Sequence, residues 1–323
     1  MNTREVLIMA ASGLLLAGLA CLPLADEGFW LTLGISLAGY VAMSTAWALF
    51  SGPTSYVSLA TAAFFGTGAY VVVNLGETAP WPAVLVVAAV CGALLALLAG
   101  MATLRLSGVH FVIFTFGLAE LIRQLVTWYQ TNIGGAVGQY VFVDISSAQI
   151  YWQLLALCGL VFLAGWAINR SRLGLALRVI GDDETVAAHS GINTARVKLL
   201  LFCISGAFIA VVGAVLAPRW TYIEPSIAFN SMISFQVVIM ALLGGSRRLW
   251  GPLVGVVPFT VLYELISGHF PNHTHLLLGT AFLLIVYFLP QGVAGRIEQL
   301  RLRRTHREAP AARSPATLGE TAR

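Results

Sequence analysis

Apolar residues along this chain fall into long uninterrupted runs separated by short polar gaps. The runs cover approximately 5 to 24, 29 to 50, 55 to 75, 81 to 103, 109 to 128, 151 to 168, 197 to 217, 231 to 244, 252 to 267 and 275 to 290. A helix needs about 20 apolar residues to cross roughly 30 Å of hydrocarbon. The pattern therefore predicts an all-α, polytopic transmembrane helical bundle of about 10 spans (8–10). The third, eighth and ninth runs are short or rich in Gly, Pro and Ser, so re-entrant or broken helices are expected there. Membranes tolerate such backbone only where protein or a cavity satisfies its polar groups. The first run passes through Gly18-Leu19-Ala20-Cys21, which faintly resembles a lipoprotein cleavage site, but it lacks a clean small-x-small signal and reads as an uncleaved span. From Thr305 the text turns polar and rich in Ala, Pro, Arg and Thr. This gives a transmembrane domain over 1–304 and a disordered cytoplasmic tail over 305–323.

Composition agrees with the pattern. Of the 323 residues 58% are hydrophobic and only 10% charged, against about 25% charged in a soluble domain. The 32 Lys, Arg, Asp and Glu side chains are too few to cover a 34.4 kDa soluble globule. A net charge of +4 and a pI of 9.0 would elsewhere suggest nucleic acid. Here the basic residues sit in the gaps, where they orient a protein in a membrane. With the N-terminus inside, 16 of the 18 Lys and Arg lie in inner segments; Arg219 alone is outside and Arg123 is within a span. Asp26, Glu27, Glu77, Asp144 and Glu224 all fall outside. Both termini are thus expected to be cytoplasmic, with an even number of spans in the cytoplasmic (inner) membrane. Cys21, Cys91, Cys158 and Cys203 lie inside apolar runs and read as small buried hydrophobes.

Reactive chemistry has no visible apparatus. Lys198, the only lysine, is followed by Leu199, so no phosphate cradle of the G-x-x-x-x-G-K-[ST] type exists. Neither H-E-x-x-H nor G-x-S-x-G is present. His269, His273 and His275 gather in HFPNHTH, but Pro271 breaks the face that would align the first two and no acidic or thiol partner lies alongside. That stretch reads as an interfacial loop. The chain is expected to be no enzyme, with no cofactor and no bound metal.

Within the fifth run, Glu120 and Arg123 share a helical face that Gln124 and Thr127 continue. Charges at membrane depth cost roughly 2.5 to 3.5 kcal/mol each, so this face should point into the bundle. It is an internal ion pair that fixes packing, or part of the translocation route meeting the zwitterionic ends of an amino acid, or it lets Arg123 snorkel to the outer surface. Glu264, beside Tyr263 in the ninth run, is weighed the same way. Gly92, Ala96 and Gly100 recur every four residues, as do Gly206, Ala210 and Ala214, a spacing that lets helix backbones approach closely. The turns at Ser51-Gly52-Pro53 and Gly244-Gly245-Ser246 each follow an inward span and precede a small-residue outward one, the mark of a weak parallel repeat with a pathway between its halves.

One long polar cytoplasmic segment remains, Asn169 to Lys198, the natural place for a partner to dock. Asp182, Asp183 and Glu184 precede Thr185-Val186-Ala187-Ala188-His189-Ser190, a short helix with acid at its positive end, and Gly191 supplies a left-handed stop. The run from Arg170 to Trp250, containing SRLGLALRVIGDDETVAAHSGINTARVKLLLFCISGAFIAVVGAVLA and MALLGGSRRLWGPLVGV, resembles the membrane permease subunit of branched-chain amino-acid ABC importers, a family that also includes urea-type permeases. SGPTSYVSLATAAFFGTGAY from Ser51, LRLSGVHFVIFTFGLAELIRQ from Leu104, TNIGGAVG from Thr131 and FLPQGVAG from Phe288 are similar to the family's text in the same order. The resemblance implies ABC ATPase subunits docking on the 169–198 loop. Glu184, Ala187, Ala188 and Gly191 stand as E-x-x-A-A-x-x-G, a loose match to the family's E-A-A-x-x-x-G. It further implies a homologous second permease subunit, an external substrate-binding protein and alternating access. Tyr129 to Ile150, the longest external loop, is the natural surface for the binding protein. Urea or short amides are competing substrates. A self-sufficient ion-coupled secondary transporter would explain the spans and buried charges equally well, but would leave the cytoplasmic segment without a purpose.

Overall fold

In a computed structural model, the residues described are 28–269 except 107 and 136, with isolated positions at 23, 273, 276, 277, 279 and 280. The first and tenth predicted runs, the 305–323 tail and most of the histidine loop lie outside these. The chain winds through α1 (Phe29–Thr54), α2 (Thr61–Leu75), α3 (Trp81–Thr103), α4 (Val109–Tyr129), α5 (Ser147–Arg170), α6 (Arg172–Asp182), α7 (Glu184–His189), α8 (Thr194–Leu216), α9 (Pro225–Ala228), α10 (Ser231–Gly244) and α11 (Gly251–His269). Two-residue strands β1 (Gln139–Tyr140) and β2 (Tyr222–Ile223) pair antiparallel, Gln139 opposite Ile223. Seven of these helical stretches are long and apolar enough to cross a membrane. The protein is an all-α polytopic bundle, and each predicted run from the second to the ninth contains a helix.

α8 is the central helix, packed on α1, α2, α3 and α5. The two small-residue stripes meet here. A Cβ on Gly206 would stand 2.7 Å from the Ala96 Cβ, and one on Gly92 would stand 2.7 Å from the Gly206 carbonyl oxygen. Gly68 backs onto the Ala210 carbonyl and Gly213 onto the Phe65 carbonyl. With no hydrophobic driving force between helices in lipid, such close backbone approach is a main source of cohesion. α10 and α11 cross in the same way through Gly244, Gly251 and Gly255.

The third run is a broken span. α1 ends at Ser55, the one non-glycine residue with positive φ among those described, and helix resumes only at Thr61. α2 then has 15 residues, about 22 Å at 1.5 Å per residue, short of the hydrocarbon thickness. Neighbouring side chains satisfy the unwound backbone: Trp47 Nε1 donates to the Ser58 carbonyl (2.8 Å), and the Leu59 N–H donates to Thr115 Oγ1 (3.1 Å). Ser234 Oγ donates to the Leu59 carbonyl (2.9 Å) and accepts from the Ala62 N–H (2.8 Å). The eighth run is not broken: 231–244 forms the continuous α10, the chain breaking only before it at Phe229 and Asn230, and α9 with α10 makes one stretch of spanning length. At one end of the bundle the two Gly-containing turns touch, a Gly52 Cβ falling 3.1 Å from the Ser246 carbonyl carbon, while Gly181 of α6 abuts the Pro53 carbonyl. The weak parallel repeat predicted from those turns gains no other support.

Candidate functional site

The segment joining α5 to α8 sits at that same end. Ser171 divides it from the span: its Oγ donates to the Ile168 carbonyl at the end of α5 (2.7 Å) and accepts from the Leu173 N–H at the start of α6 (3.2 Å). α6 buries Gly174, Leu177 and Ile180, spaced by three, and turns Arg172, Leu175 and Arg178 outward. Asp183 caps α7, its carboxylate accepting from the N–H groups of Thr185 (2.7 Å) and Val186 (3.2 Å). The Val186 and Thr185 N–H groups hold the Asp183 carboxyl below the usual aspartate range. α7 stops as its sequence predicts. Gly191 is left-handed at φ 82°, and the Ile192 N–H closes back onto the Ala187 carbonyl at 3.1 Å.

This short helix has two distinct faces. Ala187 is completely buried, and Glu184 turns toward the spans. Lys198 Nζ at the root of α8 pairs with Glu184 Oε1, and the Tyr56 hydroxyl donates to Oε2 at 3.3 Å. The Lys198 ammonium also lies 4.0 Å from the centre of the Tyr56 ring, and that ring packs edge-on against Phe111 of α4 at 5.1 Å. Burial pushes the Glu184 carboxyl up, but Lys198 and the Tyr56 hydroxyl outweigh it and hold the group below its ordinary value. One joint thus ties α7 to α8, to the broken segment after α1, and through Phe111 to α4. The opposite face of α7, with Thr185, Val186, Ala188 and His189, is exposed.

Of the four residues expected to dock an ATPase, Ala188 and Gly191 are on the surface, whereas Glu184 and Ala187 are engaged with the bundle. Sequence reasoning missed Lys198 and Tyr56 as parts of this unit. The available signal was a solitary lysine at the edge of an apolar run, where an unpaired charge is costly.

The predicted pathway residues divide between two places. Glu120, Arg123, Gln124 and Thr127 do form one stripe: Arg123 Nε donates to Glu120 Oε1 at 3.1 Å, Gln124 Nε2 to the same oxygen at 3.2 Å, and Thr127 Oγ1 to the Arg123 carbonyl at 2.8 Å. Within this chain the bundle covers this face only in part. Both charged side chains remain about one-third exposed, at 33% and 35%. They neutralise each other on a single helix and so need no second helix to cover them. Glu264, half-buried on α11, belongs to a different neighbourhood, within electrostatic reach of Tyr40 and Arg219. His269 donates through Nδ1 to the Leu265 carbonyl of its own helix (3.0 Å), and no metal-competent cluster of His, Cys, Asp or Glu occurs among the described residues.

Geometry alone therefore defines a multi-span helical membrane protein with a short, N-capped helix presented at one end and keyed to three spans. Residues 29–287 match the family described as branched-chain amino acid transport system / permease component, and the chain belongs to that family. It is 28% identical over 280 residues to the high-affinity branched-chain amino acid transport system permease protein LivM of Salmonella typhimurium, a match covering 75% of this chain and 64% of LivM. Over 132 residues it is 33% identical to LivH of the same organism, covering 41% of this chain and 42% of LivH. It is also 28% identical over 257 residues to the L-arabinose transport system permease protein AraH of Escherichia coli, covering 76% of this chain and 74% of AraH.

Proposed function

We propose that this chain is the permease subunit of an ATP-driven ABC importer for branched-chain or related amino acids in the cytoplasmic (inner) membrane. It works beside a second permease subunit and an external binding protein, and both termini lie in the cytoplasm. Membership of the permease family and the names of LivM and LivH support the class and the substrate; AraH keeps a sugar within the family's range. The observation that carries the mechanism is the two-faced α7. Its inner face is locked to the spans by Glu184, Lys198 and Tyr56, while its outer face is free, with Val186 54% exposed. A short rigid helix gripped from outside converts a partner's rigid-body movement into rotation of the spans attached to it. ATP binding and hydrolysis on the partner then shift the balance between inward-open and outward-open states. A secondary transporter would have no use for such a handle.

Docking is tested on the outer face. Ala188→Arg and Val186→Asp are expected to insert and accumulate normally, but to lose the ATPase subunits on purification and to abolish ATP-dependent uptake. Retention of the ATPase in both variants, or full uptake by this chain alone in liposomes with an ion gradient and no ATP, refutes the reading.

A further inference from the structure

At the end of the bundle opposite α7, a cavity of about 320 Å³ opens between α1, α2, α10 and the end of α8. That is the small end of the range for ligand pockets. Its walls are mostly apolar, with Met43, Phe65, Trp220 and Ile233 among them, and Phe65 and Trp220 meet edge-on at 6.1 Å. Polar character enters at Ser36, Tyr40 and Arg219. Tyr40 is held in place by donating its hydroxyl to Gln236 Oε1 at 2.7 Å. Arg219, carried on a single turn of 3-10 helix after α8, brings a guanidinium to the cavity wall and forms no hydrogen bond or ion pair with any described residue.

Glu264 lies within electrostatic reach of both Tyr40 and Arg219 without pairing with the guanidinium. The contrast with Glu120 and Arg123 is informative. That pair consumes its own charges, whereas the Arg219 guanidinium, exposed at the cavity wall, has no paired anion among the described residues and presents a planar fork of donors suited to a carboxylate. Among the described residues, one cation without a paired anion and one anion nearby, beside a mostly apolar chamber, suit a small zwitterion with an aliphatic body. A neutral sugar or urea can accept a hydrogen bond from the guanidinium but brings it no counter-charge.

We propose that this cavity is a substrate chamber for a small α-amino acid with an apolar side chain, and that Arg219 binds its carboxylate. The assignment rests on the importer reading and gives it a location and a substrate class. The test uses the complex purified with the subunits encoded beside this chain, so that co-purification of the ATPase is scored first and separately. In a background with the four native cysteines replaced, Ile233→Cys is labelled with a small maleimide in the presence of L-leucine, leucinamide, L-arabinose or urea.

L-Leucine is expected to slow labelling and the other three to have little effect. Arg219→Gln should raise the leucine concentration needed about ten- to a hundredfold, the worth of a charge-assisted hydrogen bond, while Arg219→Lys recovers part of the loss. If Arg219→Gln fails to assemble, the preference of the Arg219→Lys complex for leucine over leucinamide decides, and wild-type discrimination there counts against the carboxylate contact. Labelling indifferent to leucine, equal protection by arabinose or urea, or unchanged protection in Arg219→Gln overturns the proposal. None of these outcomes touches the importer reading if the ATPase remains bound.

Discussion

Lys198 shows how one residue can be expensive and still useful. Its side chain is 1% exposed, so its charge is tolerable only because Glu184 and the Tyr56 ring face it. Glu184→Gln leaves that ammonium without a counter-charge. Breaking a fully buried pair costs 3–5 kcal/mol; with the Glu184 side chain 43% exposed, about 2 kcal/mol is the expected loss, read as a lower melting temperature of the detergent-purified protein. Replacing both partners by Leu should recover most of that loss while still uncoupling ATP hydrolysis from uptake. The folded state holds the Glu184 carboxyl below its ordinary 4.5, so this anchorage is complete above that value. It fades as pH falls through the lower folded-state value, and wild-type stability should lose its acid sensitivity there in the double Leu variant.

Among the elements, the contact between α3 and α8 was the most legible from sequence, because Gly and Ala at every fourth position have few uses in a membrane helix other than close packing. The short α7 with its Gly191 stop was legible for the same kind of local reason. The broken span was visible as a weak run, but its repair was not: Ser234 lies 175 residues from Leu59, and only the folded backbone brings them together. The Tyr56 bond to Glu184 spans 128 residues and was equally hidden. Gly206→Leu should be severely destabilising, since even its Cβ would press on Ala96 and the Gly92 carbonyl. Overpacking of this kind typically costs about 1–3 kcal/mol. Gly117→Ala, where a Cβ meets nothing within 4 Å, should be neutral or stabilise by up to about 1 kcal/mol through helix propensity. Thermal unfolding of the two variants side by side measures the difference.

For the molecule as a whole, the fold places the α7 joint and the Arg219 cavity at opposite ends of α8. Cysteines introduced at Arg178 or His189 should react with a membrane-impermeant maleimide only in inverted vesicles, and labelling in intact cells would reverse the orientation and remove the handle from the ATPase's compartment. The cavity itself escaped sequence reasoning, because its wall is assembled from four helices and its one charge looked like an exception to the count of inner arginines. The charges that did stand out, Glu120 and Arg123, proved to be occupied with each other. Prominence in a sequence measures how unusual a residue is for its surroundings, and unusual residues are often the ones already satisfied.

Lys198 carries a practical corollary. It is the only lysine in the 323 residues, and it is shut beneath Glu184 and Tyr56. While the joint is closed, amine-seeking reagents therefore meet no accessible side-chain amine on this subunit, so acylation at Lys198 would report any variant or condition that breaks the joint.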